Sequence, residues 1–386
     1  MRYLIVVLVL IAGNLMLRAV SAQAAEEGPR SAEGLTYGSG GTYAEFHGFV
    51  NLEYHDFQRG GEGTPEGGAG VSSFDQHNFY FAAVARVRQN VTVFGELEYE
   101  HGGKEIKVDR AFLDLNVIKP YLNFRLGKIY APFGLEIREY QAPVRRLVSR
   151  PLITDAFMFE EWTDVGANLY GEAPLGALGL TYDIALVNGP GAADPDADGI
   201  PNILQRNESA EALQTRDNNS NRTVVGRVSV PVRAVGFEVG GSYAAGRYSD
   251  AAATEDLDWS QYGLDADFHL AGLDLRGEYV ARRADVPAAN QAVLGGATFK
   301  GSGYYVQAAY RWRVDGPNLY YLEPVVRYDM LDPNRSLDDD ELSQWAAGLN
   351  YAPWPHVVFR AEYQTTREAG PRVDNNGYLA SAVVDF

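Results

Sequence analysis

The sequence predicts an all-β fold: a transmembrane antiparallel β-barrel of about sixteen strands, with short periplasmic turns and long extracellular loops. Three observations carry this reading. Apolar and polar residues alternate with period two in one segment after another from Thr42 onward. The connections between segments are long and short in turn. The last segment, 376–386, keeps its alternation up to the final residue, Phe386.

The last segment puts Tyr378, Ala380, Ala382, Val384 and Phe386 on one side of an extended strand, and Gly377, Leu379, Ser381, Val383 and Asp385 on the other. Alternating side chains let the first set face lipid and the second a wetter interior. A final strand with an aromatic carboxyl terminus resembles the signature by which outer-membrane barrels of Gram-negative bacteria are recognised for insertion. The other segments read the same way: 43–56, 74–88, 91–101, 106–117, 121–130, 162–172, 178–187, 222–231, 236–248, 259–270, 273–282, 301–312, 319–331, 342–351 and 356–365. The short connections are Gln89-Asn90, Lys119-Pro120, Ala173 to Ala177, Val232 to Val235, Ala271-Gly272, Arg313 to Pro317 and Ala352 to Pro355. They hold the Gly, Pro and Asn that tight turns require. A soluble β-sandwich would show turns every ~8–12 residues without this rhythm.

Charge sets which face is which. In 91–101, Val91, Val93, Leu97 and Tyr99 oppose Glu96, Glu98 and Glu100. In 259–270, Tyr262, Leu264 and Phe268 oppose Asp265, Asp267 and His269. In 273–282, Leu273, Leu275 and Tyr279 oppose Asp274, Arg276, Glu278 and Arg282. A charge turned to lipid at mid-bilayer costs ~2–4 kcal/mol. Glu96, Glu98, Asp265, Asp267 and Arg276 are therefore expected in the lumen, with Arg311, Arg327 and Arg360 by the same rule. A barrel of this size leaves an aqueous channel rather than a packed core.

The chain organises as a signal peptide over 1–24, a flexible periplasmic lead-in over 25–41 and the barrel over 42–386. Arg2 precedes a mostly apolar run, Tyr3 to Leu17, and Ala22-Gln23-Ala24 is a small-x-small cleavage pattern. That run is short of the ~20 residues a spanning helix needs. The mean hydropathy of -0.23 does not oppose a barrel, which hides its lipid contact in alternation. With no Cys there is no disulfide framework and no thiolate site. The formal charge of -18 argues against nucleic acid as a partner. The 24 Tyr and 17 Phe suit aromatic girdles at the two membrane interfaces.

Against the acidic whole, the stretch from Arg125 to Arg150 holds Arg125, Lys128, Arg138, Arg145, Arg146 and Arg150 and only Glu136 and Glu139 as acids. These six bases are the candidate pore constriction. Free, they would attract anions; paired with Glu160, Glu161 or lumen carboxylates, they would not. Both readings stand on the sequence. In the longest loop, 188–221, Asp194, Asp196 and Asp198 precede Gly199 with the spacing that opens a calcium loop, although position twelve is Gln205 instead of an acid. No other cofactor is expected. The six His residues have no metal-ligand spacing, and no Gly-x-Ser-x-Gly elbow occurs, so no enzyme is expected.

Leu126-Gly127-Lys128-Ile129-Tyr130-Ala131-Pro132-Phe133-Gly134-Leu135-Glu136 resembles a motif of the phosphate-selective porin O/P family, and Leu322-Glu323-Pro324-Val325-Val326-Arg327-Tyr328-Asp329 resembles one of its late strands. The resemblance implies a homotrimeric porin in the outer membrane of a Gram-negative bacterium, with a third loop folded into the pore. The expected function is passive diffusion of small hydrophilic solutes, anions or phosphate in preference. The alternative is a structural or adhesive barrel whose extracellular loops bind a partner.

Overall fold

In hydrocarbon every backbone N–H and C=O must find its partner within the chain, so a spanning sheet has to close. The computed structural model describes residues 35–39, 42–58, 72–192, 198–205, 217–370 and 375–386. Its strands are β1 (Leu35–Ser39), β2 (Thr42–Phe57), β3 (Ser73–Arg88), β4 (Val91–Glu100), β5 (Glu105–Ile118), β6 (Leu122–Tyr130), β7 (Thr163–Leu175), β8 (Leu178–Val187), β9 (Thr223–Val232), β10 (Phe237–Arg247), β11 (Asp258–Leu270), β12 (Leu273–Asp285), β13 (Thr298–Tyr310), β14 (Trp312–Gly316), β15 (Leu319–Asp332), β16 (Leu342–Trp354), β17 (Val357–Glu368) and β18 (Gly377–Asp385). One short helix, α1 (Leu152–Phe157), lies between β6 and β7.

Each strand from β2 onward pairs antiparallel with the next, and β18 returns to β2. β14 continues β13 beyond Arg311 and pairs with the start of β15, so the two form one wall element. β1 pairs with Thr42–Phe46 of β2, on the edge that β18 takes from Phe49 to Phe57, and is not counted among the strands that close the ring. The eighteen strands thus make a closed ring of sixteen. Two features differ from the sequence reading. Residues 35–39, expected in a lead-in without structure, form β1. The second extracellular connection is short, spanning only 101–104 between β4 and β5. It is tight because His101, Gly102 and Gly103 take φ of 49°, 68° and 89° in succession. The expected signal peptide lies outside the described residues.

Parity holds around the ring. On β11, Leu264 is exposed and Asp265 buried; on β13, Val306 is exposed and Gln307 buried. The outward aromatics form two belts. Tyr54–Phe74, Tyr363–Tyr378, Tyr328–Trp345, Tyr304–Tyr328 and Tyr262–Tyr279 pack as pairs toward the extracellular rim. Tyr310–Trp312 and Tyr351–Phe359 do so toward the periplasmic rim. Amphipathic rings settle at the two lipid–water interfaces.

The seam is made by the first and last strands of the ring. β18 pairs with β2 from Gly377↔Phe57 to Asp385↔Phe49. The last residue extends the ladder, with Phe386 N donating to Gly48 O at 2.9 Å and Gly48 N to Phe386 O at 3.0 Å. A Cβ at Gly48 would collide with the Tyr80 carbonyl oxygen and lie 2.7 Å from Cζ of Phe386. Gly48→Val is expected to cost about 1–3 kcal/mol through overpacking at the seam and to reduce the compact, heat-modifiable form on unheated gels. Gly95→Val, in β4 with open space around its Cβ position, is expected to stay within about 0.5 kcal/mol of the parent. Equal yields of folded barrel from both variants would refute the role of Gly48.

Candidate functional site

The third extracellular loop, residues 131–161, folds into the lumen. Its neck is closed by Ala131 N donating to Trp162 O at 2.9 Å. Pro132 supplies no N–H, so the β6 ladder does not continue through it. Phe133, Ile137, Ile153, Phe157, Met158 and Phe159 are buried together against lumen-facing Val187, Val225, Trp259, Val280, Phe299 and Leu331. A packed apolar wedge therefore occupies one side of a lumen expected to be wholly aqueous.

The rest of the loop is held by polar groups of the wall. A chain crossing a lumen away from any sheet must satisfy its own N–H and C=O groups. The Glu278 carboxylate on β12 accepts from Leu135 N and Glu136 N at 3.2 Å. Gly134 N donates to Ser242 Oγ on β10 at 2.9 Å. Gly134 has φ +63°, and a Cβ there would collide with Glu278 Oε1, which explains the Gly of Pro-Phe-Gly-Leu-Glu. Glu362 on β17 accepts from Val148 N at 2.7 Å, Ser149 N at 3.0 Å and the Ser149 hydroxyl. Arg327 on β15 donates to Ser149 O at 2.9 Å and Arg150 O at 2.8 Å while paired with Asp329 at 2.8 Å. Arg360 on β17 donates to Ala142 O and Arg145 O at 2.9 Å, and Asn350 on β16 to Arg146 O at 2.9 Å.

The six candidate bases are dispersed over this frame. Arg145 is half-buried with Glu53 at 3.6 Å, Arg146 with Asp274 at 2.5 Å and Glu323 at 3.8 Å, and Arg150 with Glu160 at 2.7 Å. Arg125 pairs with Asp114 at 2.8 Å and lies over the Tyr170 ring. Arg138 faces Glu238 at 3.4 Å with half of its side chain exposed. Lys128 is a correction: it takes the outward parity of Leu126, opposite Ala111 and Val165, and its ammonium donates to Val108 O at 2.7 Å. The parity of β6 allows no other placement. Guanidinium groups removed from water need carboxylates beside them. The excess of six bases over two acids in this stretch is therefore largely matched by carboxylates of the wall and of the loop itself.

The lumen set lies where parity puts it. Glu96 takes Arg110 at 2.7 Å and Gln141 at 2.9 Å. Glu98 takes Asn78 at 2.7 Å and Lys107 at 3.2 Å. Asp265 takes Arg227 through two bonds, at 2.9 and 2.5 Å. Asp267 takes His269 at 2.6 Å, Arg276 reaches Glu139 at 2.6 Å, and Arg311 reaches Glu323 at 2.9 Å. Parity in the sequence already places the holders Glu278, Glu362 and Glu53 on the inner wall, and Asn350 is the one holder it does not single out. Their only signal was a polar residue on the inner parity, and nothing local indicates which loop it meets. Arg282, on the same parity, is buried and donates to Phe157 O at 2.6 Å and Ile203 O at 3.1 Å under the Phe159 ring, joining α1 to the fourth loop.

Of the calcium candidates, Asp194 and Asp196 lie outside the described residues. Asp198 Oδ1 accepts from Ile200 N at 2.7 Å and from Gln205 at 3.4 Å, so the twelfth position meets the carboxylate as a donor.

Two expectations follow for loop 3. Gly134→Ala and Glu278→Ala should each cost about 1–3 kcal/mol of local docking, read as faster proteolysis within 131–161 in the folded barrel. Unchanged cleavage would refute the clamp. The second concerns pH. Half-buried Asp155 on α1 has its carboxyl pushed up to about 7 by burial and by the charge of Glu160, with Arg150 opposing. A carboxyl whose folded pKa is raised contributes most when protonated, and that contribution is lost as pH rises through the folded value. At Glu161, burial, which would raise the pKa, is outweighed by the hydrogen bond with Asp109 and by Lys107, and the carboxyl falls to about 2. Its contribution is lost only in acid, below its ordinary range. Hydrogen-exchange protection of 150–158 should therefore be greater at about pH 5 than at about pH 8, and Asp155→Asn should remove the difference. Protection that rises with pH in the parent would refute this assignment.

The architecture has counterparts among known proteins. The family model for phosphate-selective porin O and P matches residues 72–383. An uncharacterised protein of Aquifex aeolicus is 24% identical over 328 residues, covering 76% of this chain and 70% of its own. Among solved structures, the anion-selective porin from Comamonas acidovorans superposes with TM-score 0.61 at 12% identity, covering 89% of this chain and all of its own. The outer membrane channel DcaP of Acinetobacter baumannii gives 0.60 at 12%, covering 92% of this chain and all of its own. A trimer form of Vibrio cholerae OmpT gives 0.56 at 11%, covering 90% and all. A closed ring of sixteen strands with girdled outer walls, matched by that model over most of its length, is an outer-membrane channel of a Gram-negative bacterium: the chain belongs to the phosphate-selective porin O and P family.

Proposed function

We propose that this porin passes small hydrophilic solutes by passive diffusion, with a preference for anions set at loop 3. The observation that carries the reading is Arg138. Of the candidate bases on this stretch it is the most exposed, and its carboxylate partner, Glu238, is shared with Arg227 at 2.9 Å. A guanidinium that is only loosely matched, within a narrow passage between low-dielectric walls, acts on a passing ion more strongly than one on an open surface. Arg125, about one third exposed beside its partner Asp114, adds a partly accessible positive group on the β5–β6 wall. Membership of a family described as phosphate-selective and a fold shared with an anion-selective porin favour the same reading.

The test is a planar-bilayer recording in a salt gradient. Arg138→Ala is expected to shift the reversal potential toward cations while conductance changes by less than about twofold. Arg247→Ala, on the outer parity at the extracellular end of β10, should leave the potential unchanged. Equal shifts from both sites would refute a role for Arg138. A parent with no conductance would favour the structural or adhesive barrel instead. We also propose a homotrimer, as in the trimer form of the Vibrio protein. A monomer mass in mild detergent would overturn that.

A further inference from the structure

We propose that Asp75, His77 and His101 form a binding site for a divalent transition-metal ion of the zinc class at the extracellular mouth of the lumen. The six histidines show no metal-ligand spacing along the chain, but folding brings two of them together. β3 pairs with β4 so that Asn78 lies opposite Glu100, which sets His101 beside His77. The Nδ1 atoms of both rings point at one atom, Asp75 Oδ2, at 3.3 Å from His77 and 2.7 Å from His101. The rings meet edge to face with centroids 5.5 Å apart. One ligand atom from each of the three residues lies within 4.8 Å of the other two. A tetrahedral zinc ion with bonds of ~2.0–2.2 Å holds its ligand atoms roughly 3.3 Å apart, so small rotations of these side chains would close the set around an ion.

The backbone supports this placement independently. β3 carries a register shift against β2, with Asn51 opposite Asn78 and Glu53 opposite Asp75, so the strand is locally bulged where Asp75 and His77 sit. His101 has φ +49° at the start of a turn whose next two residues are Gly with positive φ. A side chain in that region is unfavourable, and glycine would be the relaxed choice. The turn keeps histidine there, with its ring aimed at Asp75.

The donor set selects the ion. Two imidazole nitrogens and one carboxylate oxygen suit Zn²⁺, Ni²⁺ or Cu²⁺, whereas Ca²⁺ and Mg²⁺ take oxygen donors. Between about one fifth and two fifths of each side chain is exposed, which leaves access from the mouth and room for water at further coordination positions. Glu53, across the ladder from Asp75, contributes negative potential while bonded to His55 at 2.8 Å and Arg145 at 3.6 Å. Among the described residues two other clusters have ligand atoms as close, Asp267–His269–Asp274 and Glu98–Asp109–Glu161. The first has a single imidazole and the second none.

The experiment is zinc titration calorimetry on the untagged barrel in detergent, with Cu²⁺ electron paramagnetic resonance as a second readout. The parent should bind about one equivalent per chain, and nitrogen hyperfine structure should mark imidazole ligation. His77→Ala and His101→Gly should each weaken binding by at least about tenfold, and the double variant should abolish it. His101→Gly suits the turn, so its loss of binding does not reflect misfolding, and heat-modifiable migration checks that each variant is closed. His55→Ala should bind as the parent does. Absence of zinc binding in the parent at about millimolar metal, or undiminished binding in both His77→Ala and His101→Gly, would overturn the proposal.

Discussion

Everything else in this molecule follows from closing a sheet in a solvent that offers no hydrogen bonds. An unpaired edge in hydrocarbon leaves a row of N–H and C=O groups without partners. The chain meets this by pairing the first and last strands of the ring, β2 and β18, down to the pairing of Phe386 with Gly48. Once the ring is closed, period two dictates the rest. One parity meets lipid, so nearly all charge goes to the other, and the lumen becomes lined with carboxylates and guanidinium groups.

That lining creates a second demand. Charged groups crowded inside a ring need partners, and so does the backbone of any segment that enters it. Loop 3 and the wall answer each other. Glu278 and Glu362 accept from loop N–H groups, Arg327 and Arg360 donate to loop carbonyls, and the loop's Arg145 and Arg146 meet Glu53 and Asp274. The apolar side of the loop packs on Val225, Trp259, Val280 and Phe299, where the wall itself turns apolar on its inner parity. The loop is thus a second, inner layer of the fold, clamped at both its polar and its apolar faces.

This division explains what could be read from the chain. Strand existence, parity, the short turns and the terminal seam rest on local patterns of two to ten residues, and they were legible. The inward set Glu96, Glu98, Asp265, Asp267, Arg276, Arg311, Arg327 and Arg360 followed from parity alone. Which group each would meet was not legible, because Glu362 and Val148 are separated by 214 residues and nothing local couples them. Lys128 belongs to the basic stretch in sequence, yet its position on β6 gives it the face of Leu126, and local charge density carries no information about that face. The apolar wedge was missed because buried inner-parity residues such as Val280 and Phe299 look like ordinary strand residues until a loop covers them. The spacing of His77 and His101 along the chain carries no metal signal, because strand pairing can join residues at almost any separation.

The acidic balance of the chain and an anion preference are compatible once location is considered. Asp250, Glu255, Asp256, Asp258, Asp338 and Asp339 are exposed in or beside the extracellular loops. Fields from such groups are screened within about 8 Å at physiological ionic strength. Within the lumen the carboxylates are largely matched by guanidinium groups, so the net charge of the chain says little about the field a solute meets beside loop 3. That field depends on a few loosely matched, partly exposed side chains. In such a site a single base has influence out of proportion to its share of the total charge, because its neighbours have already cancelled one another and the walls around it screen poorly.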